Sequence, residues 1–346
     1  MTRRAALSTV GGMKAIVQQR YGAAPAVLEV GEVATPAAGP GDVLVRVHAA
    51  AVNAADWHIM RGDPWIARVA SPDIFGRRGP KHPIRGRDIA GVVESVGAEV
   101  SRFRPGDEVY GDLGNAGGGF AEYAVIAAAS LATKPVNLTF AQAAAVPLAG
   151  STALYGLRDL AGVRPGQRVL INGASGGVGT FAVQIAAAAG AEVTGVCSTR
   201  NVELVSSLGA TEVIDYTQTD FAALGRHWDV IFDLTARRTL ADCRRALTPV
   251  GTLLLAGGGV FEGGSVFGPM GIQLQGRLLA RAARPQRLLP LEIVPRAAYL
   301  DALRDLIESG AVTPVVEKTY PLDAAAEAVD HLEQAHARAK LVLTVR

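Results

Sequence analysis

Short runs of β-branched and apolar residues alternate with polar ones through the first third of the chain, at 15–17, 43–48, 89–96 and 108–110. A period of two over a few residues is the mark of strands with one buried face. Pro40-Gly41-Asp42 and Pro105-Gly106-Asp107 stand between such runs. Each offers a fixed φ, a permissive φ and a side-chain acceptor, which together make a turn. Several short strands with such turns predict a partly open β-barrel. The stretch 63–83 holds Pro64, Pro72, Gly76, Arg77, Arg78, Gly79 and Pro80 and breaks the alternation. It reads as a long mobile loop, the kind of segment that serves as a lid or stays disordered.

Near Phe140 the period changes. Residues 142–160 suit a helix around Pro147 and Gly150 that ends before Arg164-Pro165-Gly166-Gln167. Strands at 168–172, 192–196, 212–214, 230–233 and 251–256 then alternate with helices at 178–189, 201–208 and 239–247. That alternation predicts a parallel, doubly wound sheet of the Rossmann type. Two amphipathic helices, 295–309 and 323–335, precede a last strand at 341–345. The expected class is α/β: a Rossmann sheet beside a β-rich, partly open barrel.

Composition narrows the function classes. At 346 residues the chain exceeds one ordinary core and suits two domains. Hydrophobic residues make up 49% and charged residues 19%, so apolar material is ample. The net charge is +2, with Lys and Arg scattered rather than gathered on one face. Nucleic-acid and membrane-surface roles are therefore disfavoured. Apolar stretches break well before the roughly 18 residues that a bilayer span needs. Two cysteines, Cys197 and Cys243, make no disulfide framework and suit a reducing compartment, here taken as the cytoplasm. Residues 1–12 carry no secretory pattern and read as a tail.

The densest chemical signal is Asn172-Gly173-Ala174-Ser175-Gly176-Gly177-Val178-Gly179, set where a strand passes into a helix. A dinucleotide pyrophosphate needs a tight turn, a close backbone approach and close helix–strand packing, and each requires glycine. The helix start adds N–H groups and partial positive charge. The spacing alone is a weak signal, and a ligand-free glycine loop is the bland alternative. Its place between strand, helix and second strand makes Gly173, Ser175, Gly176, Gly177, Val178 and Gly179 cofactor-binding candidates. The second strand ends in Cys197-Ser198-Thr199-Arg200-Asn201, with no acid to accept ribose hydroxyls. Ser198 and Arg200 offer the hydroxyl and guanidinium that suit a 2′-phosphate, so NADP(H) is the expected cofactor. The alternative is a helix cap followed by a solvated arginine. Tyr216 is a further candidate, over the adenine or at the same phosphate, with plain packing as its rival. Gly257, after the strand at 251–256, joins the set.

Longer motifs carry a resemblance. Pro40-Gly41-Asp42-Val43-Leu44-Val45-Arg46-Val47, Ala51-Val52-Asn53, Gly86-Arg87-Asp88-Ile89-Ala90-Gly91-Val92-Val93 and Pro105-Gly106-Asp107-Glu108-Val109 are part of it. Gly119-Phe120-Ala121-Glu122-Tyr123 and Ala339-Lys340-Leu341-Val342-Leu343 complete it, with the glycine cluster. From Lys14 to Val345 the chain resembles the medium-chain dehydrogenases/reductases, in their zinc-independent quinone oxidoreductase branch. The resemblance implies a GroES-like catalytic domain split around the cofactor domain: 13–137, then 138–290 for NADP, then 291–346 returning. It implies a homodimer paired through the cofactor-sheet edge, here 251–276. It also implies where zinc would sit in the alcohol dehydrogenases of this superfamily. Asn53-Ala54-Ala55-Asp56 replaces the cysteine segment, and Gly86-Arg87-Asp88 replaces the His-Glu segment. Arg87 cannot ligate a cation, and His48, His58, His82 and His227 form no ligand pair. No metal is expected.

Without a Lewis acid, a conjugated carbonyl is easier to reduce than an isolated one. The resemblance therefore implies NADPH-dependent hydride transfer to a quinone or α,β-unsaturated carbonyl, a small-molecule substrate. Candidate catalytic residues are Asn53, as donor to the substrate oxygen or a ribose hydroxyl, Asp56 and Thr152. Asp56 reads as a structural acceptor orienting the 63–83 loop, with proton donation as the alternative. Thr152 matches a position near the nicotinamide in relatives, with a helix cap as its rival. Lys340 matches a basic residue near the cofactor, against a solvated strand-end lysine. Trp57 and Trp65 are candidates for an aromatic wall, and equally for core. The tyrosine that enoyl-thioester reductases use has no counterpart between Asn53 and Trp65, which tells against that activity. A pathway-specific reductase of a larger unsaturated natural product is the second reading. A cofactor-binding sensor or interaction protein without turnover is the third.

Overall fold

The computed structural model describes residues 11–256, 270–280, 283–334 and 337–346. Its first sheet elements are β1 (Gly12–Val17) and β2 (Glu29–Ala34), an antiparallel pair, followed by β3 (Asp42–Val52), β4 (Asp88–Val96), β5 (Glu108–Asp112), β6 (Tyr123–Ala127) and β7 (Leu131–Thr133). The second sheet takes β8 (Arg168–Asn172), β9 (Glu192–Cys197), β10 (Glu212–Asp215), β11 (Trp228–Asp233), β12 (Leu247–Leu255) and β13 (Arg287–Pro290). Two strands return to the first region, β14 (Val316–Pro321) and β15 (Lys340–Thr344).

The barrel sheet runs β14-β15-β3-β4-β5-β7, with β6 on β3 as well. β3 can serve three neighbours because it is long. Its first half pairs with β6 (Asp42 to Arg46) and its second half with β15 (Ala49 to Val52), while β4 lies along the other edge. The apolar residues of β3 and β4 fill a core with Trp57, Met60, Phe120 and Leu341.

The cofactor sheet runs β10-β9-β8-β11-β12-β13, all parallel. Val169 to Asn172 of β8 are all buried, as a central parallel strand with helices on both faces requires. The strand order reverses at β8, between β9 and β11, and ligands of such sheets bind beyond the strand ends at that point.

Several elements differ from the sequence expectation. The expected helix 142–160 is three pieces, Phe140–Ala144, Pro147–Leu154 and a π-helical segment Tyr155–Ala161. Pro147 has no N–H to continue the first piece, so it opens the second. The 63–83 stretch contains a short helix, Ala67–Ala70, and its Phe75 packs with Ile59 and Ala67. The Tyr21 hydroxyl donates to Gly76 O at 2.8 Å. This loop is built against the barrel rather than structureless. β12 is paired on both sides, so among the described residues the edge of the sheet is β13; residues 257–269 of the 251–276 segment lie outside them.

Candidate active site

The glycine cluster forms the turn its composition suggests. Gly173 follows β8 with φ at 91°, a conformation that side chains disfavour. Gly176 caps the helix Gly177–Ala188, whose apolar residues from Phe181 to Ala186 are buried against the sheet. A Cβ on Gly179 would lie 2.1 Å from Gly173 O, so that glycine is needed for the helix to meet the strand. The first backbone bond at the helix start is Thr180 N to Gly176 O at 3.0 Å. The N–H groups of Gly177, Val178 and Gly179 therefore precede any intrahelical acceptor, as an anion cradle requires.

A cleft of about 1260 Å³ opens over this turn. Its walls on the cofactor-sheet side include Gly173, Ser175, Gly176, Gly177, Val178, Gly179, Ser198, Arg200 and Tyr216, together with Asn201, Arg237 and Arg238. Asn201 donates from Nδ2 to Ser175 Oγ at 3.0 Å and to Ser198 Oγ at 3.2 Å. Its buried Oδ1 has no hydrogen-bond partner among the described residues. An orphaned acceptor beside a glycine cradle fits a ligand that brings hydroxyls and phosphates, as a dinucleotide does. The carboxylate at the end of β10, Asp215, is occupied by Thr199 Oγ1 at 2.6 Å and Thr217 N at 2.9 Å.

The barrel side contributes Asn53 and Lys340, with Trp57, Ile59, Ile74 and Phe75 beyond them, and Thr152 of the helix Pro147–Leu154 joins the same cleft. Register brings Asn53 and Lys340 together with Asp88. Ala51 faces Asp88 across β3 and β4, and Val52 faces Leu341 across β3 and β15, so Asn53, Asp88 and Lys340 converge at one end of the sheet. Asn53 Nδ2 donates to Asp88 Oδ2 at 3.0 Å and to Ala51 O at 3.3 Å. Lys340 Nζ donates to Asn53 Oδ1 and lies 3.6 Å from Asp88 Oδ2. Leu148 N donates to the other oxygen, Asp88 Oδ1, at 3.0 Å. Asp88 is 0% and Lys340 3% exposed. Burial pushes the Asp88 carboxyl up and the Lys340 amine down, and their mutual attraction opposes both.

The chain matches the family described as "Alcohol dehydrogenase GroES-like domain" over residues 39–136 and that described as "Zinc-binding dehydrogenase" over 208–343. It is 32% identical to the chloroplastic quinone-oxidoreductase QR1 of Triphysaria versicolor, covering 96% of this chain and 98% of that protein. The chain belongs to the medium-chain dehydrogenases/reductases, among their quinone oxidoreductase-like members. It is also 32% identical to the chloroplastic NADPH-dependent alkenal/one oxidoreductase of Arabidopsis thaliana, over 96% of this chain and 79% of that one. The solved quinone oxidoreductase of Coxiella burnetii superposes with a TM-score of 0.81 at 28% identity, covering 97% of this chain and all of that one. As a member of this family the protein is an oxidoreductase that uses a nicotinamide cofactor.

Within that family site several residues act differently from the sequence expectation. Asn53 cannot be the substrate donor as it stands, because both its N–H bonds go to Asp88 and Ala51. Its amide orientation is set by its neighbours: flipped, it would put NH₂ against an ammonium and oxygen against a carboxylate. Asp56 is buried outside the cleft wall, accepting from Asn53 N at 2.9 Å and Gly86 N at 3.2 Å. It thus fixes the β3 and β4 ends rather than the 63–83 loop. Burial raises its pKa to about 6, against the Asn53 N–H and the nearby charges of Arg87, Arg85 and Lys340, which favour the ionised form. Thr152 lies inside its helix, not at a cap, and its hydroxyl donates to Leu148 O at 2.7 Å. Trp57 is buried in the cleft wall, whereas Trp65 is 61% exposed and carries the Arg68 guanidinium over its ring. The two make no wall together. Gly257 lies outside the described residues.

Asp88, Asn201, Arg237 and Arg238 were not among the sequence candidates. Asp88 is the one acid of the 86–93 motif, and that is its only sequence signal. Asn201 and the two arginines gave no signal, because only the fold brings the loops after β9 and β11 to one cleft.

Proposed function

We propose that this protein is an NADPH-dependent, zinc-independent reductase that delivers hydride to a quinone or an α,β-unsaturated carbonyl. The observation that carries the proposal is one cleft with two chemistries. A glycine cradle for pyrophosphate lies on one wall, and the buried Asn53–Asp88–Lys340 group on the other. Relatives named quinone and alkenal/one oxidoreductases support the substrate class.

The preference for NADPH rests on Ser198 and Arg200 at the end of β9, with the neighbouring Asp215 tied to threonines. Arg237 and Arg238 add positive charge to the same wall. Zinc independence rests on donor chemistry. Where the zinc enzymes of the superfamily place ligands, this chain has Asn53, held by Lys340, and Arg87, held by Asp112. An ammonium and a guanidinium at those places repel a cation.

A bound reduced nicotinamide supplies hydride. The protein's own part is to seat the phosphates on the Gly177–Gly179 N–H groups and to stand an apolar wall of Trp57, Ile59, Ile74 and Phe75 beside the substrate. We assign 13–137 and 291–346 to the catalytic domain and 138–290 to the NADP domain. We further propose a cytoplasmic homodimer. Leu274, Leu278 and Leu279 are 48%, 73% and 42% exposed on the helix Met270–Leu279, which packs against β13, the edge strand among the described residues. No described helix is long and apolar enough to cross a membrane.

The test is NADPH oxidation with benzoquinone, a cyclic enone, an enoyl thioester and an aldehyde, with NADH as control. Turnover of the first two with NADPH supports the proposal. Tight NADPH binding with no turnover of any of them would make the protein a sensor instead.

A further inference from the structure

We propose that Lys340 is a catalytic residue, whose ammonium donates a hydrogen bond to the substrate oxygen where negative charge collects, and that Asp88 is the residue that positions it. The inference rests on the reductase reading above. It follows from the hydrogen bonding of the three neighbouring cleft residues Asn53, Thr152 and Lys340. Asn53 has spent both N–H bonds on Asp88 and Ala51. The Thr152 hydroxyl is spent on Leu148 O. An ammonium has three N–H bonds, and those of Lys340 meet two partners, Asn53 Oδ1 and the Asp88 carboxylate. Among the described residues the third N–H has no partner, and the side chain lines the cleft.

The lysine is also held still. A Cβ on Gly177 would lie 3.0 Å from Lys340 Cδ, so the aliphatic stem runs along the glycine turn. Ala339, just before it, donates from its N–H to Ser175 O at 2.8 Å, which ties the start of β15 to the same turn. Asp88 is fixed in turn by Leu148 N and Asn53 Nδ2. A donor that is oriented before the reaction and shielded from water stabilises an oxyanion far more than a solvated one. In the reaction, hydride adds at the β-carbon, the C=C electron pair shifts, and the carbonyl oxygen becomes an enolate oxygen. Lys340 keeps its proton and holds that oxygen. The α-carbon takes its proton from water afterwards.

The first readout needs no turnover. 4-Nitrophenol imitates the enolate, and its visible absorbance separates phenol from phenolate. The wild-type protein, with and without NADP⁺, should bind it as phenolate. The K340M/D88N variant, which removes both buried charges together, should lose at least about tenfold of that preference. K340Q serves as a second variant should the first not fold, with circular dichroism as the check. The second readout is kinetic: kcat with an enone should fall by about 10² to 10³, while the NADPH Kd stays within about threefold. An unchanged phenolate preference would overturn the proposal, as would an intact kcat with weakened NADPH binding. If the wild type reduces no quinone or enone, the reductase reading fails, and the phenolate arm still judges Lys340.

Discussion

Both carboxylate oxygens of Asp112 accept from one guanidinium: Arg87 Nε lies 3.0 Å from Oδ1 and Nη2 lies 2.8 Å from Oδ2. Both side chains are under 10% exposed, and Arg87 Nη1 also reaches Asn115 at 3.1 Å. This fork ties the start of β4 to the end of β5 at the place where a metal-dependent relative would put a ligand. Truncation to Arg87→Met strands a buried carboxylate. Urea unfolding should show a loss of about 3–5 kcal/mol. Elemental analysis of the wild type grown with added zinc should show far less than one zinc per chain, and a stoichiometric value would refute zinc independence.

Arg200→Ala should weaken NADPH by about 1.5–3 kcal/mol, roughly 10- to 150-fold, through loss of a charge-assisted contact. NADH lacks the 2′-phosphate and should be nearly unaffected. Fluorescence titration with both cofactors reads the difference, and an equal effect on the two would show that Arg200 does not face that phosphate.

Two glycines separate fold from ligand binding. A Cβ on Gly179 meets backbone at 2.1 Å, whereas one on Gly176 comes no nearer than 3.4 Å to anything. Gly179→Ala should therefore cost about 1–3 kcal/mol of stability through forced backbone movement. Gly176→Ala should leave the melting temperature nearly unchanged yet weaken NADPH at least about tenfold, by crowding the pyrophosphate. Melting curves with and without NADPH test both.

Asp56 supplies a pH dependence opposite to that of an ion-paired carboxylate. Burial raises its pKa from 3.8 to about 6. Between those values the folded protein holds a proton that the unfolded chain has released, so stability falls as pH rises through that window and levels off above it. The full fall is about 3 kcal/mol. Unfolding free energies at pH 4 and pH 6 should show it, and Asp56→Asn should remove that component.

The L274E/L278E variant places charge on the exposed leucines of the Met270–Leu279 helix. Light scattering should find a dimer for the wild type and a monomer for the variant. A wild-type monomer would remove the dimer proposal.

Much of the architecture could be read without coordinates. The strand–helix alternation after Arg168 predicted the parallel sheet, because strands buried on both faces must be apolar throughout. The Gly173–Gly179 turn was legible because three backbone constraints each demand glycine. Edge strands such as β2, β13 and β14 were not, since they are short or partly exposed and show little contrast between faces. The helix 142–160 was misread because periodicity says nothing of the N–H that Pro147 lacks.

The site divides along the same line. Local sequence was enough for the glycine turn proposed to hold the phosphates, whose parts lie within eight consecutive residues. The expectation that Asn53 and Arg87 stand where zinc ligands would be came from the resemblance, not from local sequence. Only tertiary structure decided that Asn53 has no donor to spare, that Asp56 lies behind the cleft, and that Asp88 and Lys340 share one buried charge pair. Those facts depend on strand register between segments up to 287 residues apart. Hydrogen bonding saturates, so what a side chain can still offer a substrate is known only once its other partners are.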